Sequence, residues 1–117
     1  MRIRIDIARQ RLELFADDGA CIRRYAVSTA ARGAGGRSGG QCTPRGRHRI
    51  RARSGAGAPI GTVFRGRRPT GEVWTAAFAA AHPGRDWILS RILWLCGEEP
   101  GRNCGGDVDT MRRYIYI

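Results

Sequence analysis

The sequence lacks several features that mark common classes of protein. No apolar run approaches the ~18–20 residues of a membrane-spanning helix. The first residues alternate charge with isoleucine, which is not the pattern of a signal peptide. No internal repeat and no domain boundary are visible. At 117 residues the chain is long enough for one domain with a modest core.

The four cysteines form no CxxC pair, and no histidine pair stands at metal-binding spacing. Cys21, Cys42, Cys96 and Cys104 therefore leave three interpretations open: inactive thiols, a disulfide, or a chemical or metal-binding role. Four cysteines pair in three ways, and the sequence does not choose among them. We expect no metal site and no cofactor.

A glycine-rich stretch at residues 30–40 lacks the rest of a phosphate-binding motif. Gln41 and Cys42 stand where a P-loop has lysine and serine or threonine, and the third glycine of GxGxxG is missing. No helical pattern follows whose N-terminus could hold a phosphate. We expect a surface loop.

Lysine is absent as well, so all 21 basic residues are arginines, against 10 acidic residues. The net charge of +11 favours an anionic partner such as nucleic acid, acidic lipid or an acidic cell-wall polymer. Strand alternation predicts an arginine stripe on one face, formed by Arg45, Arg47, Arg49, Arg51 and Arg53. An alternative function is therefore an Arg-rich β-protein that binds nucleic acid, although interleaved aromatic residues are missing. His48 falls on the opposite face, where we expect a packed or hydrogen-bonded histidine.

Short strands separated by turns predict an all-β sandwich or barrel. Isoleucines alternate at residues 3–7, and Asp17-Asp18-Gly19 predicts a hairpin turn. A second tight turn is expected at Pro69-Thr70-Gly71, and a helical turn at residues 76–81. The apolar run 87–95 is expected to form a central strand, and residues 107–117 a final strand.

Several stretches, in order along nearly the whole chain, resemble the L,D-transpeptidase catalytic domain, the YkuD-like family of peptidoglycan cross-linking enzymes. They are Gln-Arg-Leu-Glu-Leu at residues 10–14, Val-Ser-Thr-Ala at 27–30, Thr-Pro-Arg-Gly-Arg-His at 43–48, Pro-Ile-Gly-Thr-Val-Phe at 59–64, Ile-Leu-Ser-Arg-Ile-Leu at 88–93, and Arg-Tyr-Ile-Tyr-Ile at 113–117.

The resemblance implies a β-sandwich of mixed sheets and an acyltransferase with a cysteine nucleophile. Such an enzyme forms a thioester with one peptidoglycan stem peptide and passes the acyl group to an amine of another. A histidine makes the thiolate, and donors stabilise the oxyanion. The implied location is the cell envelope or periplasm.

In the family, a His-Gly pair with the histidine base follows the strand that corresponds to residues 113–117, and Ser-His-Gly-Cys-Arg follows later with the nucleophile. Neither motif occurs in this sequence. We therefore expect a single partial domain over residues 1–117, incomplete at its C-terminal end and inactive alone, with no catalytic residue of its own.

One wall of the site is expected to remain. Alternation along the final strand puts Tyr114 and Tyr116 on the face of the family's histidine, with Ile115 and Ile117 on the other. We predict that Arg113, Tyr114 and Tyr116 border the substrate cleft. The alternative for the tyrosines is that they simply pack on the sheet. The exposed final strand is expected to pair with a second copy or with a complementing C-terminal segment.

Overall fold

We describe residues 1–117 from a computed structural model. The elements, in chain order, are β1 (Arg2–Asp6), β2 (Arg11–Phe15), β3 (Cys21–Ala26), β4 (His48–Ser54), β5 (Thr62–Arg65), β6 (Arg68–Val73), α1 (Ala76–Ala81), β7 (Ile88–Leu89), β8 (Ile92–Gly97) and a 3₁₀ turn (Gly106–Val108). The all-β prediction is confirmed. All named strands pair antiparallel, in sheets of order β1-β2-β3, β4-β8 and β6-β5-β7. Parallel pairing is confined to two isolated bridges.

The first sheet is the meander that the sequence predicts. Gly19 has φ 89° in the turn between β2 and β3, a conformation that glycine adopts without strain. Across β1 and β2, Ile3 lies opposite Leu14 and Ile5 opposite Leu12. Residues that lie directly opposite share a face of the sheet. One face of this sheet is therefore apolar.

The arginine stripe does not form as predicted. The register between β4 and β8 shifts between Ile50, which pairs with Leu95, and Ala52, which pairs with Trp94. Arg51 is the extra residue of this bulge, and a bulge reverses the alternation beyond it. Arg49 and Arg53 consequently lie on opposite faces of the sheet. The stripe residues are exposed, but they present no single basic face for nucleic acid.

The third sheet corrects a second prediction. Pro69-Thr70-Gly71 does not turn the chain, because all three residues lie inside β6. The hairpin turns at Gly66 and Arg67, with φ of 55° and 67°, between the paired Arg65 and Arg68. Two central residues with positive φ define a type I′ turn, whose twist matches the flanking strands. The predicted helical turn is confirmed as α1, where the Thr75 hydroxyl accepts from the N–H of Phe78 at 3.0 Å.

The apolar run 87–95 forms two strands in different sheets rather than one. β7 pairs with β5, whereas β8 pairs with β4. Ser90 interrupts the run with φ 65°, which ends one strand and redirects the next. The prediction of a central strand is correct for β8, which pairs with β4 on one side and with residues 115–117 on the other.

The core is small, and its buried hydrophobic residues are Leu12, Val63, Phe64 and Ile92. A large cleft separates the first sheet from the β4-β8 sheet. A cavity of about 1750 Å³ lies between the apolar face of β1-β2 and the Leu95 face of the β4-β8 sheet. The radius of gyration is 15.2 Å, above the roughly 13.4 Å expected of a compact domain of this length. The two sheets face each other without meeting.

Candidate functional site

The last segment is only partly the predicted strand. Residues 115–117 run antiparallel to β8: the N–H of Leu93 donates to the Ile117 carbonyl at 2.8 Å, and Leu95 to that of Ile115 at 3.0 Å. Residues 107–114 instead form a 3₁₀ turn and further turns. The Asp109 carboxylate accepts from the N–H groups of Arg112 and Gly105, which closes the chain on itself. These bonds, the one from Arg112 first, hold the pKa of Asp109 below its usual value.

Tyr116 and Trp94 lie directly opposite each other across this pairing. Their rings meet edge to face with centroids 6.1 Å apart. Ile115 and Ile117 pair with Leu95 and Leu93, so they take the other face of the sheet. The predicted separation of tyrosine and isoleucine faces therefore holds for these three residues.

Tyr114 reaches the same cluster by a different route from the one predicted. Its φ of 55° breaks the extended conformation that alternation assumes. Its ring nevertheless lies 5.8 Å from that of Trp94, and the side chain remains exposed. The indole of Trp94 is held in position because its N–H donates to the Met111 carbonyl at 3.1 Å. We call Trp94, Tyr114 and Tyr116 the aromatic wall.

Arg67 comes to the aromatic wall from the tip of the β5–β6 hairpin. Its guanidinium carbon is 4.9 Å from the ring centroid of Trp94 and 4.7 Å from that of Tyr114. A guanidinium over such ring faces is attracted by their quadrupoles. The nearby Tyr116 hydroxyl raises the pKa of Arg67, although no hydrogen bond of standard geometry joins the two groups. Sequence reasoning missed both Trp94 and Arg67, since only the folded chain brings the hairpin to β8.

Arg113 has a different environment from the tyrosines. Its guanidinium donates to the carbonyls of Gly35 at 3.1 Å and Cys42 at 2.6 Å. These bonds tie the glycine-rich loop to the last segment. Arg113, Tyr114 and Tyr116 all line the cavity between the sheets, as Thr29 and Thr43 do.

The histidines and cysteines do not form a catalytic pair. His48 Nδ1 donates to the Gly46 carbonyl, and Nε2 meets the Thr110 hydroxyl, both at 2.9 Å. The prediction of a hydrogen-bonded histidine is confirmed. All four cysteines are free thiols, and those of Cys21, Cys42 and Cys96 donate to backbone carbonyls. The cysteine chemistry of a transferase needs a neighbouring base, and neither histidine forms a hydrogen bond with a cysteine. The cation beside Cys21 is Arg24, which is not a base.

A second arginine also stacks on aromatic rings. The Arg85 guanidinium carbon lies 4.4 Å from the Trp87 centroid and 5.8 Å from that of Phe78. Its two terminal nitrogens donate to the two oxygens of Glu72 at 3.1 and 2.6 Å. This bidentate bond, together with one from Thr70, lowers the pKa of Glu72 from 4.5 to about 2.

We expect this ion pair to give the protein an acid-sensitive step in stability. Because the pKa of Glu72 is lower in the folded chain, its stabilisation is complete above pH ~4.5 and is lost as the pH falls toward ~2. Glu72→Gln should therefore lower Tm at neutral pH, and the difference from wild type should shrink across this range. Thermal unfolding at several pH values measures it. Glu98→Gln, at an exposed position, is the control, and a pH-independent difference for Glu72→Gln would contradict the assignment.

The whole length of the chain agrees with one known family. A family model of the L,D-transpeptidase catalytic domain, YkuD, matches residues 1–117. The chain belongs to the YkuD family. YkuD domains are acyltransferases that act on peptidoglycan, and the all-β architecture described above is consistent with this membership. No curated protein and no solved structure matches the chain.

The single α-helix has six residues, and no helix in the structure is long and apolar enough to cross a bilayer.

Proposed function

We propose that this chain is the scaffold and one substrate-binding wall of an L,D-transpeptidase that cross-links peptidoglycan stem peptides in the cell envelope. The match to the YkuD family along residues 1–117 carries the proposal. In this proposal the domain is partial, and residues outside 1–117 supply the cysteine nucleophile and its histidine base.

The absence of a cysteine–histidine contact supports this division of roles. The reaction needs a thiolate that attacks the amide carbonyl between an L-centre and a D-centre of the donor stem. The amide C–N bond breaks, the departing amine takes a proton from the histidine, and a thioester forms. The acceptor stem's side-chain amine then attacks the thioester and releases the thiol. None of the four cysteines has the neighbouring base that the first step requires.

The backbone of Tyr116 forms a free strand edge, which offers a pairing site for the proposed catalytic segment. Leu93 and Leu95 bond residues 117 and 115, so the N–H and carbonyl of Tyr116 point away from β8. Such an edge accepts a further strand. We propose that the segment with the catalytic groups pairs here, beside the aromatic wall. Without that segment, we expect a second copy to pair at the same edge.

The substrate-binding residues that we propose are Tyr114 and Tyr116 of the aromatic wall, with Arg113 close by. Tyr116 and Trp94 lie on one face of the sheet. Alternation would place the residue that follows Ile117 on this same face. About half of the surface of Tyr114 is exposed. Arg113 is held in position by two loop carbonyls and lines the cavity, and we expect it to border the substrate cleft with the two tyrosines.

Substitution in a completed enzyme tests the wall. The chain is joined to the His-Gly and Ser-His-Gly-Cys-Arg segment of an active family member, and cross-linking of tetrapeptide stems is followed. Tyr116→Ala should lower kcat/KM by roughly fivefold or more, since a stacked ring is worth about 1 kcal/mol or more. Tyr25→Ala, at an exposed position on β3, is the matched control. Unchanged turnover in Tyr116→Ala would remove this residue from the site.

A further inference from the structure

We propose that Arg67, held on the aromatic wall, is a binding site for a ligand carboxylate. The site consists of the Arg67 guanidinium at the tip of the β5–β6 hairpin, seated on Trp94 and Tyr114. The inference adds a specificity-determining group to the proposed function. It rests on that function only for the identity of the ligand, a stem peptide.

The guanidinium of Arg67 lies beside the hydroxyls of Tyr116 and Tyr114, and no carboxylate of the chain occupies its N–H donors. Its guanidinium carbon lies 4.9 and 4.7 Å from two ring centroids that are themselves 5.8 Å apart. A guanidinium on the line between the two centroids would be about half of their separation from each. Both distances are much longer, so the guanidinium lies to one side of the pair of rings rather than between them. Aromatic faces hold a cation without consuming its N–H donors. No carboxylate of the chain forms an ion pair with Arg67.

Arg85 shows what the same arrangement does when a carboxylate is within reach. It too lies over two rings, and its terminal nitrogens hold both oxygens of Glu72. The planar guanidinium matches a carboxylate in two parallel hydrogen bonds, which makes such pairs strong and directional. Arg67 repeats the aromatic support without the internal partner. A ligand carboxylate would complete the arrangement that Arg85 and Glu72 form within the chain.

The backbone on both sides of this contact is strained. Arg67 has φ 67° at a turn position where glycine or asparagine is preferred, and Tyr114 has φ 55°. Residues held in this region tend to cluster at ligand-binding sites, where the surrounding structure maintains them. An arginine in a type I′ turn has no local advantage. The contacts of this residue are instead those of its guanidinium with Trp94 and Tyr114, outside the hairpin.

The ligand group that fits this site is a planar carboxylate on a short peptide. Arg67 adjoins Tyr116, next to the edge where the proposed catalytic segment pairs. A stem peptide bound against the aromatic wall, beside that segment, would bring its carboxylate to the hairpin. The guanidinium would thereby select an anionic peptide end over a neutral one.

Titration of the isotope-labelled chain tests this inference without any turnover. N-acetylalanine supplies the carboxylate, and N-acetylalaninamide is its neutral counterpart. The Nε–H signal of Arg67 and the indole N–H signal of Trp94 report binding by NMR. Arg67→Asn removes the guanidinium while suiting the positive φ of the turn, so it should fold. Arg68→Gln removes the same charge from the adjacent, exposed position.

We expect a saturable shift of both signals with N-acetylalanine and none with the amide. Affinity should fall at least about tenfold in Arg67→Asn, as for loss of charged hydrogen bonds, and stay within about twofold in Arg68→Gln. Equal binding of the amide, equal binding by Arg67→Asn, equal loss in Arg68→Gln, or no binding by the wild-type chain would overturn the inference. Inorganic phosphate that binds as tightly as the carboxylate would also overturn it. Because the readout is binding, failure here leaves the cross-linking function to be tested by turnover.

Discussion

Asn103→Ala is expected to remove about 3 kcal/mol or more of the free energy of unfolding. The side chain is fully buried. Its Nδ2 donates to the carbonyls of Arg45 at 3.0 Å and Arg47 at 3.1 Å, and its Oδ1 accepts from the N–H of Glu99 at 2.9 Å. The Arg45 carbonyl and the Glu99 N–H would lose their partner, whereas the Arg47 carbonyl keeps the N–H of Glu98. Each part-buried backbone group left without a partner costs about 1–3 kcal/mol. The loop at residues 98–110 would then lose its attachment to the start of β4.

Urea unfolding measures this effect as a lower midpoint at unchanged slope. Gln10→Ala is the matched control, since Gln10 also bonds through its amide, to Ile7 and Thr29, but at an exposed position. Water can replace those bonds, so the control should lose about 1 kcal/mol or less. Equal losses in the two variants would show that Asn103 does not anchor the loop.

Gly97→Ala is expected to prevent stable folding. Gly97 ends β8, and an added Cβ would overlap the backbone carbonyl and the side-chain oxygen of Asn103. A backbone group cannot rotate away, so either β8 or the loop would have to move. The expected loss exceeds about 4 kcal/mol, in the range of exceptional single substitutions. Circular dichroism and the yield of soluble protein report it.

Gly101→Ala separates steric overlap from backbone strain. Gly101 has φ 78°, but nothing lies within 4 Å of its added Cβ. The cost there is only the left-handed conformation, about 1 kcal/mol. A Gly97→Ala variant as stable as Gly101→Ala would contradict the packing of the loop against β8.

The elements that could be predicted from sequence are those with local causes. The Asp17-Asp18-Gly19 turn fixes the register of β2 and β3, and Thr75 caps α1. Alternation also separated Tyr116 from Ile115 and Ile117. These outcomes depend on neighbouring residues, which the sequence displays directly.

The failures have non-local causes. The bulge at Arg51 depends on how β4 meets β8, and no residue near Arg51 announces it. Tyr114 leaves the extended conformation because Asp109 closes the preceding turn. Arg67 joins Trp94 only after a hairpin and a strand distant in sequence come together. Trp94 and Arg67, the site residues that the sequence did not predict, come together through tertiary packing, which composition and periodicity do not encode.

The central claim is that this chain carries the wall of the site but not its reacting groups. Incubation with a tetrapeptide stem, followed by mass spectrometry of the intact chain, tests it most directly. The account predicts no acyl adduct on residues 1–117 alone, and an adduct on the added cysteine when the His-Gly and Ser-His-Gly-Cys-Arg segment is joined. An acyl thioester on Cys21, Cys42, Cys96 or Cys104 of the chain alone would contradict it.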